Sequence, residues 1–155
     1  MDTFTLQQYR LRAELPRRLI VGFFAGALSV LLFHQGALGL LYSLGLTPRA
    51  PYSFAATYPL GIPQVWSLAF WGGVWGVLLA ASLAMLHGAG LVIVSTVYGM
   101  VFPTLVAWFI VAPLKEQPVA AGMVPMAMAA GLIVNAAWGF GTGVGLALFG
   151  ERRTA

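Results

Sequence analysis

Residues 18–45 read RLIVGFFAGALSVLLFHQGALGLLYSLG, and this stretch decides the fold. It begins on Arg18, contains no further formal charge, and exceeds the roughly 20 apolar residues that a helix needs to cross a bilayer. It is too long for the apolar region of a cleaved signal, and its polar leader of about 17 residues is unlike a short n-region. A retained transmembrane helix is expected.

Working outward, the rest of the chain has the same character. Hydrophobic residues make up 60% and charged residues 8%, where a soluble domain carries about a quarter charged. Between Arg18 and Glu151 the formal charges are Arg49, Lys115 and Glu116. Three more spans are expected, at about 65–86, 88–113 and 120–149. The fold class is therefore an all-α integral membrane protein with four transmembrane helices. Residues 1–17 form a basic leader, 46–64 a long loop and 150–155 a tail. The basic balance needs no nucleic acid to explain it, because the arginines lie at membrane edges where anionic headgroups attract them. The expected partners are the lipid bilayer and either further copies of the chain or a larger membrane complex.

Basic residues set the expected orientation. Arg10, Arg12, Arg17, Arg18, Arg152 and Arg153 share one side of a four-span chain, against Arg49 and Lys115 on the other. Both termini are thus expected to be cytoplasmic in a bacterial-type inner membrane, with the 46–64 loop outside. In the leader, Phe4, Leu11 and Leu15 fall on one helical face, which suits an interfacial anchor or a docking helix, ended by Pro16. The loop carries Pro48, Pro51, Pro59 and Pro63 with Tyr52, Phe54 and Tyr58. It reads as a stiff interfacial connector, or as a lid or docking face.

An internal repeat is visible. At an offset of 67, Ala69, Trp71, Gly72, Gly76, Val77, Leu79 and Ala80 match Ala136, Trp138, Gly139, Gly143, Val144, Leu146 and Ala147. Two parallel copies of a two-helix hairpin would follow, related by an axis along the membrane normal. Gly72-x3-Gly76 and Gly139-x3-Gly143 put small residues one turn apart on a helix face, the spacing that lets backbones approach in lipid. The second and fourth helices are expected to cross there, or each to pack on another protomer. Trp71, Trp75 and Trp138 read as packing bulk, or as a platform for a flat hydrophobic ligand.

Few residues look chemical. His34 lies about 24 Å along the first helix from Arg18 at 1.5 Å per residue, with Gln35 rotated about 100° from it. Asn135, Tyr98 and Thr142 are the other candidate functional polar residues, and Pro103 is expected to kink the third helix. His34 reads as an interhelical hydrogen-bonding group, a proton- or solute-handling group, or a ligand in a larger complex. Its partner set is expected to be distinct from that of Gln35. No Asp or Glu occurs within a span, no nucleotide motif is present, and Cys is absent. No catalysis, metal site or cofactor is therefore expected. Two functions follow: a non-catalytic packing, assembly or accessory subunit, or a small oligomeric channel or carrier for protons, water or a neutral solute. A continuous polar file from His34 to Asn135 and Thr142 would favour the second, and internally paired polar groups the first.

Overall fold

Four helices of this chain are long and apolar enough to cross a membrane: Glu14–Ser43, Gln64–Ser82, Gly88–Leu114 and Pro125–Phe149. They are named the first to fourth spans below. The computed structural model describes residues 3–150, with side chains described from Glu14 onward. Asp2 and the tail with Glu151, Arg152 and Arg153 lie outside the described residues, as do the side chains of Phe4, Arg10, Leu11 and Arg12.

The first span belongs to a helix that starts at Thr3: α1 (Thr3–Ser29), a π turn (Val30–His34) and α2 (Gln35–Ser43) follow one another without a break. Pro16 lies inside α1 rather than ending it, so the expected stop before the apolar run is absent. A two-stranded hairpin, β1 (Ala56–Thr57) and β2 (Ile62–Pro63), precedes α3 (Gln64–Ser82), the second span. The third span joins α4 (Gly88–Val106), a second π turn (Ala107–Val111) and α5 (Ala112–Leu114). Pro103 sits inside α4, one turn before that π turn. After a left-handed turn at 119–123, α6 (Pro125–Phe149) forms the fourth span.

Two helix ends at the loop-bearing end of the bundle close in the same way. After α2, Gly45 adopts φ 71°, its N–H donates to Tyr42 O, and Leu46 N–H donates to Leu41 O. After α5, Glu116 adopts φ 55°, its N–H donates to Pro113 O, and Gln117 N–H donates to Ala112 O. Both are Schellman caps, which satisfy the orphan carbonyls of a last turn through a left-handed residue. Glycine takes that conformation freely, whereas glutamate does so against its Cβ.

The glycines decide which helices meet. A Cβ on Gly22 would lie 2.6 Å from Gly76 O, and one on Gly26 would collide with Gly72 O. The first and second spans therefore touch backbone to backbone. A Cβ on Gly99 would lie 2.6 Å from Asn135 O, one on Gly139 would collide with Ser95 O, and one on Gly143 would lie 2.8 Å from the Ser95 Cβ. The third and fourth spans are in the same relation. The crossing expected between the second and fourth spans is not formed; each packs instead on the helix that precedes it in the chain. The two pairs join mainly where the first span lies against the fourth. In the core Val30, Ala69, Leu79, Ala80, Leu91, Trp138 and Leu146 are buried together.

Arginines tie the other end. The buried Arg18 donates from Nε to Ala80 O at 3.3 Å and from Nη2 to Leu83 O at 2.9 Å and Leu86 O at 3.2 Å. Its neighbour Arg17 donates to Phe149 O at 3.1 Å. A cation at a helix C-terminus meets free carbonyls and the negative end of the helix dipole. This pair therefore gathers the C-terminal ends of α3 and α6 beside the start of the first span.

Candidate functional site

The π turn at Val30–His34 is where polar chemistry enters the apolar first span. A π turn bonds each N–H to the carbonyl five residues back, and here Gln35 N–H reaches Val30 O. The widened turn takes carbonyls out of the ordinary helical ladder. Tyr52 uses one of them: its hydroxyl donates to Leu31 O at 2.8 Å. The backbone N–H of Tyr52 donates to Gln35 Oε1 at 2.6 Å. Tyr52 is held at φ 54°, a left-handed conformation rare for a side chain of its size. The 46–64 loop thus folds back along the first span and is held by both ends of one residue.

Gln35 is 2% exposed, so its amide must be matched inside the protein. Its oxygen takes the Tyr52 N–H, and its nitrogen faces His34 Nδ1 at 3.3 Å. His34 and Gln35 therefore bond to each other. The expectation that they serve separate partners is not met, because the Gln35 amide nitrogen reaches back to the ring of its own neighbour.

The other candidate residues lie elsewhere. Asn135 donates from Nδ2 to Thr104 Oγ1 at 2.8 Å, joining the fourth span to the third. Thr142 donates to Trp138 O at 2.9 Å within its own helix. Tyr98 packs against Trp75 and Phe102, at ring-centroid distances of 6.3 Å and 4.7 Å. Gly72, Gly76, Gly139 and Gly143 lie at the two helix crossings. The three tryptophans form no common platform: Trp71 is exposed beside Phe70, Trp75 lies on Tyr98, and Trp138 is buried with its indole N–H on Gly26 O at 2.9 Å.

Several contributors escaped the sequence reading. Ser29 donates to Trp138 O at 2.6 Å, so the first and fourth spans are clasped by two bonds to one residue. Gly22-x3-Gly26 has the same spacing that singled out Gly72 and Gly76, and this signal was available in GFFAG. Tyr52 carried no signal beyond being an aromatic in a loop. Ser95 Oγ is buried with no hydrogen-bond partner among the described residues, beside Gly143. Also among the described residues, no group of three or more His, Asp or Glu is placed to hold a metal ion. Comparison with protein families, curated proteins and solved structures finds no match to this chain.

Proposed function

We propose that this protein is a non-catalytic, multi-pass membrane subunit that acts by packing against further copies of itself or a larger membrane complex. The observation that carries this reading is the pairing of most of its buried polar groups in the spans, the Ser95 hydroxyl excepted. Asn135 meets Thr104, Ser29 and Thr142 meet Trp138, and Gln35 meets Tyr52 and His34. Among the described residues, His34, Asn135 and Thr142 share no direct hydrogen bond. Paired polar groups hold helices together, whereas a conducting path needs groups free to exchange partners.

The same reading includes orientation and symmetry. The arginine-rich end is cytoplasmic in a bacterial-type inner membrane and the 46–64 loop is outside, on the strength of the basic-residue bias. The two hairpins are parallel repeats, supported by their shared packing. Gly76 meets Gly22 and Gly26 as Gly139 meets Ser95 and Gly99. In the second helix of each hairpin that correspondence has an offset of 63 and superposes Trp75-Gly76 on Trp138-Gly139, and in the first helix it has an offset of 73. The offset of 63 lies one helical turn from the 67-residue match of the sequence.

Gentle extraction from the native membrane, followed by mass measurement of the intact assembly and identification of its components, tests the subunit reading. A defined homo-oligomer or a stoichiometric complex is the expected result. Flux of protons, water or a neutral solute through reconstituted vesicles, well above that of empty vesicles, would instead establish the channel or carrier.

A further inference from the structure

The Tyr52 backbone N–H and the Gln35 and His34 side chains form a hydrogen-bond relay whose direction is fixed. A backbone N–H can only donate, so the atom of Gln35 that meets Tyr52 N–H must be its oxygen. The amide nitrogen is then the atom that faces His34. An amide nitrogen also only donates, so His34 Nδ1 must accept, and the single ring proton of neutral His34 sits on Nε2. The docked loop therefore selects one tautomer of a histidine inside the span.

We propose that His34 is a proton-binding site read out by the 46–64 loop: a proton on Nδ1 and the docking of Tyr52 on Gln35 exclude each other. A proton delivered by hydronium from the aqueous phase on the loop side forms an Nδ1–H bond, leaves water behind, and gives the ring a positive charge. Nδ1–H then faces the Gln35 NH2, donor against donor. Turning the amide over puts Oε1 on Nδ1–H but presents NH2 to Tyr52 N–H, which is again donor against donor. One of the two bonds must be given up. The charged imidazole in an apolar span takes the amide oxygen, because a hydrogen bond to an ion is stronger than one between neutral groups. The Tyr52 N–H is released, and a residue in a left-handed conformation loses one of its two anchors.

Among the described residues, few titratable groups belong to the elements around the turn. The elements packed on it include α3 and α6, neither of which contains an Asp, Glu, Lys, Arg, His or Tyr. The first span contributes Glu14, Arg17 and Arg18 at its far end and Tyr42 one helix segment on, and the loop contributes Arg49, Tyr52 and Tyr58. The proposal does not depend on what the assembled protein does, since it concerns the loop of the isolated chain.

The test uses the full chain in lipid nanodiscs, with nitrogen-15 on its two histidines. His87→Gln identifies the His34 signals. At neutral pH the expected spectrum has an unprotonated Nδ1 and a protonated Nε2. Amide hydrogen exchange over residues 50–55, corrected for its intrinsic pH dependence, is followed from about pH 8 down to the acid limit of folding. Exchange at Tyr52 is expected to rise roughly tenfold, the loss of one hydrogen bond of ordinary strength, in step with His34 protonation. In His34→Gln it is expected to be independent of pH, and in Gln35→Leu fast throughout. The opposite tautomer would overturn the proposal. So would unchanged loop protection when His34 is charged, an equal acid response in His34→Gln, or a His34 that stays neutral to the acid limit of folding.

Discussion

The indole N–H of Trp138 donates to the carbonyl oxygen of Gly26 at 2.9 Å, across the seam between the first and fourth spans. The bond has room because Gly72 lacks a side chain, whose Cβ would lie 3.2 Å from Trp138 Nε1, and Gly26 also meets the backbone of the second span at Gly72. One residue thus serves both the pairing within a hairpin and the junction between hairpins. Trp138→Phe keeps most of the ring and removes the donor. It is expected to lower stability by about 1 kcal/mol, within the range for interhelical hydrogen bonds in membranes. Trp138→Ala is expected to cost about 3–5 kcal/mol through the cavity it opens. Thermal unfolding in detergent distinguishes the two, and a Trp138→Phe protein as stable as wild type would mean that the bond contributes nothing.

Glycines at the crossings and glycines in open space should behave oppositely. A Cβ on Gly76 would collide with Gly22 O, while Gly36 and Gly90 have nothing within 4 Å of the added carbon. Gly76→Ala is therefore expected to push the first two spans apart, at about 1–3 kcal/mol. Gly36→Ala and Gly90→Ala are expected to be neutral or to stabilise by up to about 1 kcal/mol, because alanine restricts the unfolded chain. Unfolding curves for the three variants in one detergent provide the comparison. A destabilised Gly36→Ala with an unaffected Gly76→Ala would show that the crossing is misplaced.

Glu116 occupies the left-handed position of a Schellman cap, where its counterpart at the end of the first span is Gly45. Glu116→Gly is expected to stabilise the protein by about 1 kcal/mol, since glycine adopts positive φ without steric cost. Ala121, at φ 55° in the left-handed turn before α6, should respond in the same direction to Ala121→Gly. A fall in melting temperature for both would contradict the backbone assignment of the 114–124 connection.

The topology is tested at the hairpin tip. Ser53 is a poor labelling site, because its carbonyl and hydroxyl both accept backbone hydrogen bonds. Tyr58 is 94% exposed. In this chain, which has no native cysteine, Tyr58→Cys should react with an impermeant maleimide on intact cells. Thr3→Cys should react only after permeabilisation. The reverse pattern would invert the orientation.

Four apolar runs separated by proline, glycine and a few charges were legible in the sequence, because the hydrocarbon thickness fixes the length of a spanning helix and excludes charge. The small-residue spacing at Gly72, Gly76, Gly139 and Gly143 was legible for a similar local reason. So was the singularity of FHQG at 33–36, since unpaired polar groups in an apolar helix demand partners.

Which partners they find was decided by the tertiary structure alone. In a soluble bundle each helix advertises its buried side by an amphipathic stripe, but these helices are apolar all round and carry no such mark. Glycine spacing shows that a face can approach a backbone without saying which backbone. The sequence therefore left Gly72 and Gly76 free to meet the fourth span, whereas the folded chain places them on Gly22 and Gly26. The long connection between the first two spans could be read, but not its return to Gln35, because Tyr52 reaches that amide through its own backbone N–H. Every residue except proline possesses an N–H, so its use at one position leaves no trace in residue identity. What the sequence determined was the length and apolar character of each segment, which depend on composition; what only the fold determined was the pairing of backbones, which depends on geometry brought together from distant parts of the chain.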